Sequence, residues 1–340
     1  MRFDVTVFPT SLNEMPALAQ AVEAYGFGAL WTSETAHNPF LPLPLAVAAT
    51  RRIELGTAIA LAFPRSPTVM AQIAWDLAAQ SDGRFVLGLG AQVKAHITRR
   101  FGMDWTPPLA HMRDYLGALR AIWANWQDNK PLRYKSEHYR LTLMTPFFSP
   151  GPIAHPDIPI YLAGVNEGMC ALAGELCAGL HVHPFHTVRY LREHIVPAVE
   201  RGAAAAGRTR AEVALACTLF VVTGQTAGEM AAQAQAVKQQ IAFYASTPSY
   251  APVMALHGWD DVAARLSQLA REGRWNDMSG LVSDEMLHAV AVVAPAGELA
   301  AAVKARCTGL LDRVGYYLPF QPEDTAMRPV WEDASRVFGV

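Results

Sequence analysis

The chain of 340 residues alternates short runs of β-type residues with segments whose apolar positions recur at helical spacing. Eight such runs predict strands, and helical segments follow most of them. The third run is nearly all apolar, as expected of a parallel strand that is covered on both faces. The predicted strands are residues 3–8, 29–32, 53–61, 85–89, 158–162, 179–182, 213–222 and 311–318.

This alternation predicts a parallel sheet whose strands are connected by helical crossovers. A closed barrel and an open, doubly wound sheet would both give the pattern. The barrel is favoured because the strands number eight and because no GxGxxG motif opens the first helix. We therefore predict an α/β fold, a (β/α)8 TIM barrel that forms a single domain over residues 1–340.

Two segments interrupt the rhythm. Residues 130–157 are rich in proline and aromatic side chains, which argues for a functional excursion and not for disorder. Residues 226–289 contain more helix than one barrel unit needs. We interpret residues 130–157 and 240–289 as insertions.

Composition narrows the function. Hydrophobic residues make up 51% of the chain, charged residues 17%, and the net charge is −2. This balance gives no electrostatic reason to expect nucleic acid or a membrane as a partner. Four cysteines do not form a disulfide framework, and neither a signal peptide nor a membrane-spanning run is recognisable. We expect a cytoplasmic protein.

In a TIM barrel the loops that follow the strands form the active site. Glu34 and His37 leave the second strand together, and histidine suits proton transfer near neutral pH. Alternatively, Glu34 caps a neighbouring loop and His37 is an ordinary surface side chain. After the fifth strand, the small residues at 164–166 and the helix that follows could bind a phosphate, with Lys94 adding charge. The alternative is that Gly164 only makes a tight turn.

Histidines at the sixth strand raise one further possibility. His181 and His183 point the same way along a strand, and His186 is close in sequence, so a metal-dependent TIM-barrel hydrolase is an alternative. Barrel hydrolases with a His-x-His pair typically carry it on the first strand, where this chain has no histidine. We therefore predict no metal.

Several motifs, in order, resemble the luciferase-like monooxygenase superfamily, which includes bacterial luciferase, alkanesulfonate monooxygenase and enzymes that use coenzyme F420. They are residues 50–59 (TRRIELGTAI), residues 64–67 (PRSP), Leu77 and residues 81–90 (SDGRFVLGLG). The stretches GTAIALAFPRSP, GAQVKAHITRRFGM and LMTPFF-PGP resemble its coenzyme F420-dependent oxidoreductase subgroup. The resemblance implies a luciferase-like barrel with an inserted region.

The resemblance also implies site residues. Many members carry a non-prolyl cis peptide bond at the end of the third strand, and the matching bond here is Ala58–Ile59. An acidic residue near the cofactor ring matches Glu34, and a catalytic histidine matches His37 approximately. The predicted catalytic residues are His37 and Glu34. The predicted cofactor-binding residues are Glu34, Ala58, Ile59, Ala91, Gln92, Lys94, Gly164, Val165, Asn166 and His183.

One departure from the subgroup concerns the proton donor. Some F420 enzymes have a glutamate in the loop after the fourth strand, where this chain has Val93. The predicted function is hydride transfer between coenzyme F420 and a small, largely apolar organic substrate. Aromatic residues of segments 130–157 and 240–257 are predicted to cover that substrate: Tyr139, Phe147, Phe148, Phe243, Tyr244 and Tyr250.

Other functions stay open. An FMN-dependent two-component monooxygenase of the same fold, supplied with reduced flavin by a separate reductase, is the first alternative. A flavin-binding relative without catalytic activity is another. The resemblance further implies a homodimer or a larger homo-oligomer.

Overall fold

A computed structural model describes residues 1–339, and its core is a closed barrel of eight parallel strands. Each strand pairs with the next one along the chain, and the last pairs with the first. The predicted fold is therefore confirmed. The strands are β1 (Arg2–Val7), β2 (Ala29–Thr32), β3 (Glu54–Thr57), β4 (Phe85–Gly90), β5 (Ile160–Gly164), β6 (Gly179–Val182), β7 (Ala214–Leu219) and β8 (Arg313–Tyr316).

Helices surround the barrel and bury their apolar faces against it. Ser66 and Pro67 begin α3 as predicted, and the Ser66 hydroxyl accepts a hydrogen bond from the Val69 N–H. A π-helical turn at Leu191–Ile195 joins α7 to α8. The helices are α1 (Met15–Ala24), α2 (Leu43–Ala49), α3 (Pro67–Gln80), α4 (Lys94–Arg99), α5 (Pro108–Asp128), α6 (Glu167–Leu176), α7 (Val188–Tyr190), α8 (Val196–Ala205), α9 (Ala227–Ala245), α10 (Ala251–Ala255), α11 (Asp260–Arg271), α12 (Asp284–Val290), α13 (Leu299–Cys307) and α14 (Arg328–Phe338).

Two predicted strands are each divided in the structure. The run 53–61 becomes β3 and a short strand, Ala60–Leu61, which pairs with the end of β4. A bulge separates the two parts. The run 213–222 becomes β7 and the strand Val221–Val222, which pairs with Val292–Val293 outside the barrel. In both cases the apolar pattern continues through a change of partner, so hydrophobicity alone could not reveal the break.

The two predicted insertions have different structures. Residues 130–157 form a small hairpin, Tyr134–Lys135 with Arg140–Leu141, and a 3₁₀ turn at Pro146–Phe148. Residues 240–289 consist mainly of the end of α9 and the helices α10, α11 and α12. No helix within residues 1–339 combines the length and the apolar character that crossing a membrane requires.

The lower end of the barrel is filled by a buried ion pair and two aromatic rings. Arg313 donates to both carboxylate oxygens of Asp4, at 2.7 and 3.0 Å, and also pairs with Glu54. The Trp31 indole N–H donates to Asp4 at 3.1 Å, and Tyr161 packs 6.0 Å from the Trp31 ring. The lower end is therefore closed, and an internal site has to lie towards the carboxyl ends of the strands.

Candidate active site

Small side chains line the carboxyl-end mouth of the barrel, and the space that they border is called the hollow below. Side chains alternate between the two faces of a strand. Residues two or four positions after those that fill the lower end of the barrel therefore also point inward. Ala58, Ala163 and Thr218 are partly exposed, and the residues on both sides of Ala163 and Thr218 are buried. The inward positions around the hollow are Thr6, Ala58, Gly90, Ala163, Thr218 and Gly315.

His181 lies on the floor of this hollow. Its ring packs at right angles to Trp31, with centroids 5.0 Å apart, and lies 5.3 Å from Tyr161. Its Nε2 atom is buried and forms no hydrogen bond of normal geometry within residues 1–339. Burial and the positive charge of Arg313 lower its pKa to about 3, although the Thr57 carbonyl opposes this shift. The ring is therefore neutral near pH 7. The sequence indicated His181 only as a possible metal ligand, and its place on the floor was missed.

The Ala58–Ile59 peptide bond is cis, as the resemblance implied. Hydrogen bonds from the tip of β2 hold this bulge in place. The Ala58 N–H donates to the Thr32 carbonyl at 2.8 Å, and the Ser33 hydroxyl donates to the Ala58 carbonyl at 2.6 Å. The Glu34 N–H donates to the Ile59 carbonyl at 3.1 Å. The backbone at this side of the hollow is thus fixed before any ligand binds.

The Glu34 carboxylate supports the same bulge from behind. It accepts two hydrogen bonds from Arg65, at 2.7 and 2.9 Å, and a third from the Leu61 N–H at 2.7 Å. Its side chain is only 7% exposed. The observed contacts of this carboxylate are therefore with the protein itself, through three hydrogen bonds. Arg65 was not predicted as the partner of Glu34, although it belongs to the motif at residues 64–67 (PRSP).

His37 lies apart from that carboxylate. It is exposed at the crest of the loop after β2. The loop is fixed beside it, because the Thr32 hydroxyl donates to the Pro39 carbonyl at 2.7 Å and the Phe40 N–H donates to Asn38 at 2.9 Å. The structure does not bring Glu34 and His37 into hydrogen-bond contact within the described residues. The catalytic role of His37 stays a prediction.

The tip of β4 borders the bulge. A Cβ atom on Gly90 would lie 2.6 Å from the Ile59 Cδ1 atom, so the absence of a side chain there lets Ile59 lie across the strand end. Ala91 and Gln92 follow and are partly exposed. Gln92 has a left-handed backbone, with φ of 63°, and its side-chain oxygen accepts the Val93 N–H at 2.9 Å. Both residues therefore stand at the rim, and their predicted contact with a cofactor stays a prediction.

Lys94 begins α4 and is exposed. Its ammonium group lies 5.0 Å from the centre of the Trp105 ring, within the range of a cation–π interaction. This contact gives the side chain a partner on the protein surface. The proposed contact with a phosphate stays a prediction.

The turn after β5 supports both earlier interpretations. A Cβ atom on Gly164 would lie 3.0 Å from Leu180 and 3.3 Å from the Cys170 sulfur, so tight packing of α6 explains this glycine. Val165 accepts a hydrogen bond from Tyr190 at 3.2 Å. Asn166 starts α6, whose free N–H groups favour an anion. The phosphate-binding role of the turn stays a prediction.

Charge at this helix end is mixed. Glu167, in the first turn of α6, pairs with Arg201 at 2.6 Å and with His194 at 2.9 Å. A carboxylate in the first helical turn uses part of the helix dipole that an anion would otherwise meet. Any phosphate bound at Asn166 would therefore meet the Glu167 carboxylate as well as the Arg201 guanidinium.

Aromatic side chains form the opposite side of the mouth. His183 lies 4.6 Å from both the Tyr244 and Tyr250 rings. Its Nδ1 atom accepts the Phe185 N–H at 3.0 Å, and burial, with His186 nearby, lowers its pKa to about 3. The Tyr244 hydroxyl lies 3.2 Å from that of Tyr317, which follows β8. The sequence missed Tyr317.

The sequence model of the luciferase-like monooxygenase family matches residues 2–313. The chain belongs to this family. An uncharacterized protein of Mycobacterium tuberculosis is 45% identical over 306 residues, with 90% of each chain covered. The 5,10-methylenetetrahydromethanopterin reductase of Archaeoglobus fulgidus is 24% identical over 295 residues, with 84% of each chain covered.

Solved structures agree on the fold of this luciferase-like protein. The structure of the coenzyme F420-dependent tetrahydromethanopterin reductase from Methanopyrus kandleri matches with a TM-score of 0.79 and 20% sequence identity, covering 99% of both chains. At this identity the likeness concerns the fold. The oxidoreductases and monooxygenases among the relatives and neighbours support an enzymatic role.

The histidines of the hydrolase alternative do not converge in this family member. His186 donates through Nδ1 to the His183 carbonyl at 2.8 Å, while His181 lies inside the barrel. Across residues 1–339, no three or more His, Cys, Asp or Glu side chains are grouped so that they could hold a metal ion. The geometry therefore gives the hydrolase alternative no site.

Proposed function

We propose that this luciferase-like protein is a coenzyme F420-dependent oxidoreductase that transfers a hydride between the deazaflavin and a small, largely apolar organic substrate. The observation that carries the proposal is the backbone bulge at residues 58–59, which the Ser33 hydroxyl and the Glu34–Arg65 pair hold beside strand tips that carry small residues. A planar ring needs such a flat, preformed backbone surface beside it.

The residues at the mouth fit a deazaflavin. Ala58, Gly90, Ala91 and Ala163 leave space where larger side chains would meet the ring. Bound there, the cofactor supplies the hydride chemistry, while the protein orients it and excludes water. The buried Glu34 carboxylate acts indirectly in this arrangement, because it fixes the bulge through the Leu61 N–H. A Mycobacterium tuberculosis relative that is 29% identical over 294 residues and is named a putative coenzyme F420-dependent oxidoreductase supports F420 as the cofactor.

An apolar substrate fits the aromatic side of the mouth. Tyr244 and Tyr250 pack against His183 there. The other predicted cover, residues 130–157, is more exposed: the Phe147 and Phe148 side chains are 89% and 66% exposed. We propose that α9 and the turn after it form the inner wall of the substrate pocket, and that residues 130–157 lie at its outer edge.

His37 remains the proposed proton-transfer partner. Val93 has no acidic group at the position where some F420 enzymes have a glutamate. It is exposed and directly precedes α4. His37 is accessible to solvent on the opposite loop of the mouth. The two ring nitrogens of an imidazole can donate and accept a proton.

The test is a fluorescence titration of the purified protein with F420 and, in parallel, with FMN. We expect F420 to bind, and Ala163→Leu, which adds bulk inside the hollow, to weaken binding at least about tenfold. Ala204→Leu, on the exposed face of α8, is the matched control and leaves the affinity unchanged. Micromolar FMN affinity without a response to F420 would reverse the choice of cofactor.

An FMN-dependent monooxygenase supplied by a separate reductase is the second candidate, favoured by the monooxygenases of this family. The same hollow suits its ring system. It predicts turnover only with reduced FMN and oxygen, whereas the F420 proposal predicts turnover without oxygen. Oxygen dependence of product formation therefore separates the two candidates.

A further inference from the structure

Three tyrosine side chains lie close together beside the hollow, and two of their hydroxyl groups are in contact. Tyr244 belongs to α9, Tyr250 to the turn that follows it, and Tyr317 to the end of β8. The hydroxyls of Tyr244 and Tyr317 are 3.2 Å apart, and the Tyr244 and Tyr250 rings lie 5.6 Å from each other. Tyr317 continues the inward alternation of Arg313 and Gly315 along β8. The hydroxyls therefore border the interior of the mouth.

This arrangement leaves a hydrogen-bond donor free. In a bond between two phenols, one O–H donates to the oxygen of the other, whose own proton is then available. Burial raises the pKa of Tyr250 to about 12, and the neighbouring Tyr317 adds to the shift. Burial also raises the pKa of Tyr244. Both groups keep their protons across the working pH range and present O–H donors.

An apolar cleft adjoins the same phenol. Its volume is about 360 Å³, and its lining is Gln239, Gln240, Phe243, Tyr244 and Trp275. Phe243 and Trp275 are about half exposed, with ring centroids 6.0 Å apart. Tyr244 thus belongs both to the cleft and to the phenol pair, which places a polar end beside an aromatic surface.

We propose that the Tyr244–Tyr317 pair donates a hydrogen bond to the carbonyl or hydroxyl oxygen of a substrate whose apolar body packs in this cleft. The hydrogen bond to the substrate does not depend on the proposed function, whereas the reaction that follows rests on it. Reduction of a carbonyl requires a hydride at carbon, from reduced F420, and a proton at oxygen. The phenol's hydrogen bond stabilises the negative charge that develops on that oxygen, and the proton itself comes from water through His37, the proton-transfer partner proposed above.

Binding of matched probes tests the pair without any cofactor. Acetophenone and ethylbenzene have similar shapes, but only acetophenone carries an oxygen. Calorimetric titration of the protein should show tighter binding of acetophenone. Tyr317→Phe should weaken acetophenone binding about three- to tenfold, as expected for one lost hydrogen bond, and leave ethylbenzene binding unchanged. Tyr134→Phe is the control, because the Tyr134 hydroxyl that it removes donates to the Asp114 backbone carbonyl, away from the mouth.

Three outcomes would overturn the proposal: no binding of acetophenone, equal binding of the two probes, or an unchanged preference in Tyr317→Phe. A general loss of structure in the variant would lower the affinity for both probes, so the unchanged ethylbenzene affinity excludes that explanation. The F420 titration is separate. A protein that binds acetophenone through Tyr317 but does not bind F420 would refute the cofactor and retain the phenol site.

Discussion

The two sides of the barrel mouth are built differently. At the tips of β3, β4 and β5, small residues and a cis peptide bond leave backbone exposed to the hollow, and hydrogen bonds from Ser33 and Glu34 hold it. At the tips of β6, β7 and β8, aromatic rings from the barrel pack against rings from α9 and its following turn, as His183 does against Tyr244.

Under the proposed function, this difference separates two tasks. Backbone held by local hydrogen bonds gives one fixed shape, which suits a ring that is the same in every turnover. Side chains contributed by an insertion can change without altering the barrel, which suits the selection of a substrate. If so, the small-residue side, at the tips of β3, β4 and β5, should depend on rigid support. The aromatic side, at the tips of β6, β7 and β8, should depend on buried groups that stay neutral.

The largest expected effect comes from removing Arg65. Arg65→Met leaves the Glu34 carboxylate nearly buried and without its charge partner, which costs about 3 kcal/mol of unfolding free energy. Urea denaturation measures this loss. F420 affinity should fall as well, because the Ala58–Ile59 bulge loses its support.

The double variant Glu34→Gln, Arg65→Met is the control for the charge. It removes the stranded carboxylate, so it should regain part of the lost stability. A decrease below about 1 kcal/mol in Arg65→Met alone would mean that the pair is not a main support of the bulge.

Gly88→Ala should destabilise the barrel next to the bulge. Its Cβ atom would lie 1.7 Å from the Thr57 carbonyl oxygen and 3.0 Å from His181 Nε2, and the first contact is with backbone, which cannot turn away. We expect the unfolding free energy to fall by about 2 kcal/mol. Gly280→Ala, where no atom lies within 4 Å of the added Cβ, should stay within about 0.5 kcal/mol of the parent. Equal stability of both variants would contradict the tight contact.

The aromatic side should lose stability in acid. Burial lowers the pKa of His186 to about 4, while the ring is exposed to water in the unfolded chain. Because the folded-state pKa lies below the unfolded value of 6.5, His186 disfavours folding increasingly as pH falls from about 6.5 towards 4, and has no such effect above that window. Its contribution approaches about 1.4 kcal/mol per pH unit.

His186→Asn tests this contribution. Asparagine can still donate to the His183 carbonyl but does not titrate in this range. The pH dependence of the unfolding free energy between pH 6.5 and 4 should therefore become shallower in the variant, while the slope above pH 7 stays the same. An unchanged slope below pH 6.5 would show that His186 titrates normally in the folded protein.

The sequence was sufficient for the barrel because each strand and helix has a local signal. The eight apolar runs, the Ser66–Pro67 helix start and the motif that carries Ala58–Ile59 all lie within a few residues. The apolar pattern did not show the break of the third strand, which only the family resemblance implied, because its cause is a set of hydrogen bonds from Ser33 and Glu34, which follow another strand.

The contacts between distant residues could not be predicted from local patterns. Glu34 and Arg65 were both within quoted motifs, yet 31 positions separate them, and no spacing rule links a strand tip to the start of a later helix. Tyr244 and Tyr317 are 73 positions apart. They meet because β8 closes the barrel beside α9, although four helices separate the two elements along the chain.

The smallest expected effect concerns the contact between the two sides of the mouth. The Asn166 side chain, at the turn after β5, donates to the Ser249 carbonyl in the segment before α10 at 3.3 Å. Asn166→Ala should cost only about 0.5 kcal/mol of stability, since the bond is long and exposed. It should nevertheless raise hydrogen exchange selectively at residues 246–250, because the substitution removes one of their links to the barrel. Ser267→Ala, which removes another bond to this segment at Ser246, is the matched comparison and should raise exchange there as well. If Ser267→Ala raises exchange and Asn166→Ala does not, the aromatic side is held by its own packing alone, and the two sides of the mouth are mechanically independent.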